Sequence, residues 1–147
     1  LGPRLRAHGE NAERAAALLD AHPAVARVYW PGLASHPGHA LAARQQSGFG
    51  AMLSFELVGG VAAVEAFVDG LEFFSLAESL GGVESLIAHP ATMTHASMAP
   101  DARRVAGIGD NLLRVSVGIE DGDDLCRDLA AALARAARVS ERAQVRA

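Results

Sequence analysis

The sequence contains no lysine, and all 13 of its basic residues are arginine. A chain without lysine cannot form a Schiff base through a lysine side chain, and it cannot supply the lysine of a phosphate-binding P-loop. The single cysteine, Cys126, excludes a disulfide framework and any zinc site built from several cysteines. One cysteine fits a reducing compartment, so we expect a cytoplasmic protein.

Long hydrophobic runs and a strong charge of one sign are also missing. No stretch reaches the roughly 18 consecutive apolar residues that a membrane span requires, so we expect no membrane partner. The 13 basic and 17 acidic residues give a net charge of −4, which disfavours a basic face for nucleic acid. Because the chain begins at Leu1 and not at methionine, we interpret it as a piece of a longer protein.

The 147 residues, half of them apolar, suffice for one domain with a substantial core. Helical periodicity and strand-like alternation take turns along the chain. The predicted helices span residues 4–21, 38–46, 60–69, 100–107 and the segment after 122, and the predicted strands span residues 25–30, 49–58, 73–76, 83–88 and 112–119. This order predicts an α+β fold in which helices cover a small sheet. We expect the domain to occupy residues 1–138 and the tail, residues 139–147, to fray.

The same patterns predict several local features of the helices. Leu5 and Leu19 fall on one apolar stripe of the first helix, and Val61 faces the core from the third. Asp123 is expected to cap the last helix, because aspartate accepts hydrogen bonds from free helix amides.

Arg114 is the first candidate for a binding residue. Strand alternation places it with Ser116 and Gly118 on one face, opposite Val115 and Val117. A guanidinium group above small neighbours matches a carboxylate in a two-pronged hydrogen bond, although an ordinary ion-paired arginine also fits this pattern.

The segment that starts at Ser79 and continues through Leu80 to two glycines is the second candidate. Glycines allow the backbone to approach a ligand closely, and the serine offers a hydroxyl group. Taken alone, such a segment also fits a simple turn. We expect no metal site, because His36 and His39 flank a helix start and no carboxylate cluster accompanies them.

Several segments together resemble the Cys/Met-metabolism family of pyridoxal-phosphate (PLP) enzymes, most nearly its cystathionine γ-synthase branch. The segments are LAESLGGVESL at residues 76–86, HPATMTH at 89–95, LRVSVGIED at 113–121, HPAV at 22–25, YWPGL at 29–33 and SHPGH at 35–39. The resemblance extends to about residue 137. It implies the small C-terminal domain of a fold-type-I, aspartate-aminotransferase-like enzyme, with a mainly antiparallel sheet of about four strands and helices on one side.

The resemblance also implies that this chain carries only half of an active site. In the family, a larger N-terminal domain holds the PLP and the lysine that binds it, and nothing in this chain matches that domain. We therefore expect PLP in the full-length enzyme, no cofactor on this chain alone, and no catalytic residue here. The missing lysine agrees with this interpretation independently.

The resemblance implies a role in substrate binding for four residues. Arg114 corresponds to the arginine that binds the substrate α-carboxylate. Ser79 corresponds to the serine beside that carboxylate, with Leu80 adjacent. Glu78 corresponds to the acidic residue that lines the distal substrate pocket in members acting at the γ-carbon.

The implied function is γ-replacement on an O-acylhomoserine by cysteine, which yields cystathionine for methionine biosynthesis. The implied partners are the amino-acid substrate, the N-terminal PLP-binding domain, and the other subunits of a homotetramer. Cystathionine γ-lyase, methionine γ-lyase and O-acylhomoserine sulfhydrylase remain alternatives within the family. A non-catalytic module that binds a small ligand or a partner is the alternative from another class.

Overall fold

Five strands form one sheet in the computed structural model, which describes residues 1–145. The helices are α1 (Gly2–Asp20), α2 (His39–Gln45), α3 (Gly60–Val68), α4 (Pro100–Val105) and α5 (Gly122–Val145). The strands are β1 (Val25–Tyr29), β2 (Met52–Leu57), β3 (Ser75–Leu76), β4 (Leu86–Ala88) and β5 (Leu112–Ser116). All ten predicted elements are present in the predicted order, and the observed strands are shorter than predicted.

The sheet has the strand order β1-β2-β5-β4-β3, so β5 lies at its centre although it comes last in the chain. The β1–β2, β2–β5 and β5–β4 pairs are antiparallel. The predicted mainly antiparallel sheet is therefore confirmed. The sheet has five strands where the resemblance implied about four, and its edge strand β3 has two residues and pairs in parallel with β4.

One face of the sheet packs against the helices. In β2, Leu53, Phe55 and Leu57 are buried, and the residues between them are less buried, as a half-buried strand requires. The Phe67 ring of α3 lies 5.4 Å from the Phe55 ring, measured between centroids. Helices α1 and α5 complete the same core. Full burial of such side chains contributes roughly 1.5–3 kcal/mol each, so this apolar face fixes α1, α3 and α5 on one side of the sheet.

Three local predictions were wrong. Leu5 is 58% exposed, because the first turn of α1 borders open clefts instead of the sheet. Val61 is 44% exposed, and α3 faces the core through Val64 instead. The cap of α5 is Asp121, whose Oδ1 accepts hydrogen bonds from the backbone amides of residues 123 and 124 at 2.9 and 3.2 Å.

The last helix continues beyond the expected end of the domain at residue 138. It is helical through Val145, and the buried Ser140 hydroxyl donates to the carbonyl oxygen of Val58. The boundary at 138 and the frayed tail stay predictions, and residues 146–147 of that tail lie outside the described residues. No helix within residues 1–145, the 24-residue α5 included, is both long and apolar enough to cross a membrane.

Candidate functional site

Arg114 lies in the middle of the central strand, on the face turned away from α1, α3 and α5. The sheet register places it between Ser54 on β2 and Ala88 on β4. Both neighbours are small, so they leave space above the sheet for the long guanidinium side chain. The sequence predicted small neighbours along the strand, Ser116 and Gly118, and the neighbours across the sheet are small as well. The binding role of Arg114 stays a prediction.

The guanidinium group of Arg114 reaches the segment between β3 and β4. Its Nη2 atom donates hydrogen bonds to the carbonyl oxygens of Glu78 and Ser79, at 2.7 and 3.0 Å. The Nε atom is buried and has no hydrogen-bond partner within residues 1–145. A buried donor without a partner is uncommon in a folded protein, and Arg103 Nε is the other such atom within residues 1–145. The planar guanidinium group of Arg114 matches a carboxylate. The geometry thus supports an anion-binding arginine held in place by backbone carbonyls.

The segment that holds Arg114, residues 78–85, is here called the site loop. Gly81 adopts a left-handed backbone conformation with φ of 76°, which lets the loop turn back toward β5. The Gly81 amide donates to the Ser116 hydroxyl at 2.9 Å, and the Gly81 carbonyl accepts from the Arg4 guanidinium at 3.2 Å. The loop is therefore joined to the central strand and to the start of α1.

The far end of the site loop is held by a second set of polar contacts. The Glu120 carboxylate accepts hydrogen bonds from the Ser85 amide at 2.6 Å and from the Ser85 hydroxyl at 2.8 Å. The Ser85 hydroxyl in turn accepts a hydrogen bond from the Gly118 amide at 2.8 Å. Ser85 is completely buried, so these contacts replace the hydration of its polar groups.

The continuation of β5 is also tied to α1. The Asn11 side chain donates to the carbonyl oxygens of Gly118 and Glu120, at 3.1 and 2.8 Å. The His8 Nδ1 atom lies 2.7 Å from the carbonyl oxygen of Val117, which makes Nδ1 the protonated nitrogen in a neutral ring. Both side chains are buried, so the first helix is anchored to the strand that carries Arg114.

A cleft of about 320 Å³ opens between α1 and the site loop. Its apolar lining includes Leu1, Leu5, Met52 and Leu80, all of them exposed, with Leu80 at 56%. A larger cleft of about 560 Å³ also borders Leu5 and includes Trp30. We call the exposed apolar residues of the smaller cleft the α1–loop patch.

The structure places three of the four predicted site residues next to one another in the site loop and brings Arg114 to two of them. Arg114 contacts the backbone of Glu78 and Ser79, whose side chains are exposed, whereas Leu80 lines the neighbouring cleft. The substrate contacts expected of these residues stay predictions.

Sequence reasoning missed the serines and the glutamate that hold the site loop. The only signal for them was the two-residue spacing of Ser116, Gly118 and Glu120 after Arg114. The two histidines considered as metal ligands form hydrogen bonds with the backbone instead. His36 Nδ1 accepts from the amide of residue 38 at 3.0 Å, and His39 Nδ1 lies 2.7 Å from the carbonyl oxygen of residue 31. Within residues 1–145 no group of three or more histidine, cysteine or acidic residues is placed to hold a metal ion.

Comparison with known proteins decides the family. The family model described as "Cys/Met metabolism PLP-dependent enzyme" matches residues 1–134. The chain belongs to this family. The resemblance carried by the sequence motifs is thereby confirmed.

Individual relatives agree with the family. The chain is 57% identical to cystathionine gamma-synthase of Escherichia coli (strain K12), over 88% of this chain and 33% of that protein. It is 53% identical to cystathionine beta-lyase of Lactococcus lactis subsp. cremoris, over 90% of this chain and 35% of that protein. The crystal structure of cystathionine gamma synthase from Xanthomonas oryzae pv. oryzae in complex with cystathionine has a TM-score of 0.91 and 67% identity. That match covers 94% of this chain and 36% of the other.

The chain therefore spans about a third of the length of the curated relatives it matches. It lacks lysine, so its residues do not fit covalent attachment of PLP through a lysine. What they fit is the binding of an anion at Arg114, where a buried guanidinium nitrogen has no partner in the described part of the chain.

Proposed function

We propose that this chain forms the substrate-carboxylate side of the active site in a longer PLP-dependent enzyme of the cystathionine γ-synthase type. The observation that carries the proposal is the Arg114 guanidinium, which is held by two site-loop carbonyls while its buried Nε atom keeps a free donor. The family match supports the assignment of the chain to this class of enzyme.

In this proposal the residues of the chain bind and orient the substrate. Arg114 pairs with the α-carboxylate of the amino acid, and its planar fork fixes the direction of that group. Ser79 lies beside the bound carboxylate with Leu80 next to it, and Glu78 faces the distal part of the substrate. PLP, held by the rest of the enzyme, supplies the electron sink for carbanion chemistry.

The reaction we propose is replacement of the γ-substituent of an O-acylhomoserine by the thiol of cysteine. Two relatives that are named for the γ-synthase reaction, at 57% and 67% identity, support this choice. Relatives named for other reactions match nearly as well, among them a cystathionine gamma-lyase at 51% and an O-succinylhomoserine sulfhydrylase at 49% identity. A γ-lyase or a sulfhydrylase is therefore the second candidate.

The proposal includes the partners that a domain of this kind needs. An N-terminal PLP-binding domain supplies the cofactor lysine, and the full-length enzyme assembles as a homotetramer. Cys126 is a free thiol, which agrees with the proposed cytoplasmic location.

Product analysis of the full-length protein that carries this chain tests the proposal. The purified protein is given PLP, an O-acylhomoserine and cysteine, and in two separate reactions cystathionine alone or an O-acylhomoserine with sulfide. A γ-synthase forms cystathionine in the first reaction, whereas a γ-lyase releases cysteine and a β-lyase releases homocysteine in the second. Failure to turn over any of these substrates would contradict the proposal and favour a non-catalytic module.

A further inference from the structure

Alternate residues along β5 and its continuation all contact the site loop. Arg114 donates to the carbonyls of residues 78 and 79, and Ser116 accepts from the Gly81 amide. Farther along, the Gly118 amide and the Glu120 carboxylate both bind Ser85. Residues two apart in a strand point to the same side, which applies to Arg114 and Ser116 within β5. Beyond β5 the chain bends at residues 119 and 120, and the contacts of Gly118 and Glu120 extend the attachment to the far end of the loop.

Gly118 is the closest point of contact in this arrangement. A Cβ atom at this position would collide with the carbonyl oxygen of Val83 and with the backbone of Glu84. The site loop therefore crosses directly over the strand continuation, and the amide of Ile119 donates to the Val83 carbonyl at 2.9 Å. Only glycine allows this approach without displacing the loop.

The position of the loop determines the position of the arginine. Arg114 has no acidic partner within residues 1–145, and the carbonyls of Glu78 and Ser79 are the groups that hold its Nη2 atom. A shift of these carbonyls would turn the guanidinium plane and misdirect its remaining donors. The contacts that fix the loop thus act on ligand geometry through Arg114.

We propose that Ser116 and the Ser85–Glu120 pair are positioning residues that set the orientation of Arg114 for the substrate carboxylate. This inference rests on the proposed function, and it assigns a role to side chains that do not themselves contact the substrate. Ser116 is 2% exposed and Ser85 is fully buried, so neither hydroxyl is available as a surface group.

A purely stabilising role predicts a different result from a positioning role. A buried serine that only stabilises the domain lowers the free energy of unfolding when it is replaced, without changing substrate affinity. Ser140 is such a control, because its buried hydroxyl bonds to the carbonyls of Val58 and Ala136, far along the chain from the site loop.

The test compares Ser116→Ala, Glu120→Gln and the control Ser140→Ala in the full-length enzyme. Loss of one hydrogen bond to the loop should raise KM for the amino-acid substrate roughly tenfold and change kcat little, because the carboxylate contact serves ground state and transition state alike. Ser140→Ala should leave KM within about twofold of the wild-type value. In this chain alone, hydrogen exchange of the Gly81 amide should accelerate in Ser116→Ala and stay unchanged in Ser140→Ala.

Arg114→Ala is measured beside these variants because it tests the proposed carboxylate site separately from the positioning role of the other residues. If Arg114→Ala leaves KM and kcat/KM unchanged, the proposed carboxylate site itself is wrong. If Arg114→Ala impairs the enzyme but Ser116→Ala and Glu120→Gln match Ser140→Ala in KM, only the positioning role is overturned. Should Ser116→Ala not fold, the nearly isosteric Glu120→Gln decides, and an unchanged KM overturns the inference.

Discussion

The Arg114 Nη2 atom lies 2.7 Å from the carbonyl oxygen of Glu78, although the two residues are 36 positions apart in the chain. This contact joins the central strand to a loop at the edge of the sheet. It leaves the planar guanidinium group oriented before any ligand arrives, which lowers the entropic cost of binding a carboxylate.

The first prediction concerns the missing lysine. The chain incubated with PLP and then reduced with borohydride should keep its original mass, because it has no lysine amine to form a reducible Schiff base. Mass spectrometry checks this, and peptide mapping distinguishes a minor adduct at the N-terminal amine of Leu1 from an adduct elsewhere in the chain. A reduced PLP adduct on an internal residue would contradict the account.

The second prediction concerns the α1–loop patch. Exposed Leu5 and Leu80 lie against the same cleft, and clustered apolar surface of this kind favours association. We expect the apparent mass of this chain in light scattering to rise with concentration, and the double substitution Leu5→Gln, Leu80→Gln to reduce that rise. Val105→Gln is the matched control, since Val105 is 90% exposed and lines neither cleft. A chain that stays monomeric at all concentrations would disprove this prediction.

The third prediction concerns a buried carboxylate on α5. Asp128 is 6% exposed and accepts the three consecutive backbone amides of residues 72–74, at 2.8–3.3 Å. Asp128→Ala leaves these amides without their acceptor and should lower the free energy of unfolding by about 1–3 kcal/mol. Asp123→Ala, which removes an exposed carboxylate from the same helix, should change it only slightly. Urea unfolding measures both, and equal effects would rule out the proposed role of Asp128.

The fourth prediction concerns the single thiol. Burial raises the pKa of Cys126 above the usual range, and nearby Asp123 acts in the same direction while Arg14 opposes it. A higher pKa means a smaller thiolate fraction at pH 8, so iodoacetamide should alkylate the native chain more slowly than the urea-unfolded chain. Mass spectrometry over time gives both rates, and a native rate equal to the unfolded rate would refute the prediction.

The sequence predicted the elements and most of the buried faces because those features depend on local periodicity. Leu53, Phe55 and Leu57 show this, since their alternation alone places them on the core side of β2. Leu5 shows what periodicity does not predict. It continues the apolar stripe of α1, yet within the described part of the chain it is 58% exposed beside a cleft. Periodicity predicts a face, but it does not show whether another element covers that face.

The candidate site was predictable only in part for the same reason. Arg114 and Ser79 could be chosen from motifs, whereas the contacts of Ser85 with Glu120 join residues 35 positions apart. Such contacts depend on the strand order, in which β5 inserts between β2 and β4. No local pattern encodes that order.

The central claim is that Arg114 binds the substrate carboxylate, and kcat/KM of the full-length enzyme tests it most directly. Arg114→Ala should lower kcat/KM by about 10²–10³-fold, and Arg114→Lys should recover only part of it, since an ammonium group lacks the planar fork.

Arg135 is the matched control. Its guanidinium group also donates to two backbone carbonyls, those of Ala66 and Phe67, but on the helix side of the sheet. Arg135→Ala should therefore leave kcat/KM close to the wild-type value. The account predicts a large loss in Arg114→Ala with activity retained in Arg135→Ala, and a wild-type kcat/KM in Arg114→Ala would contradict it.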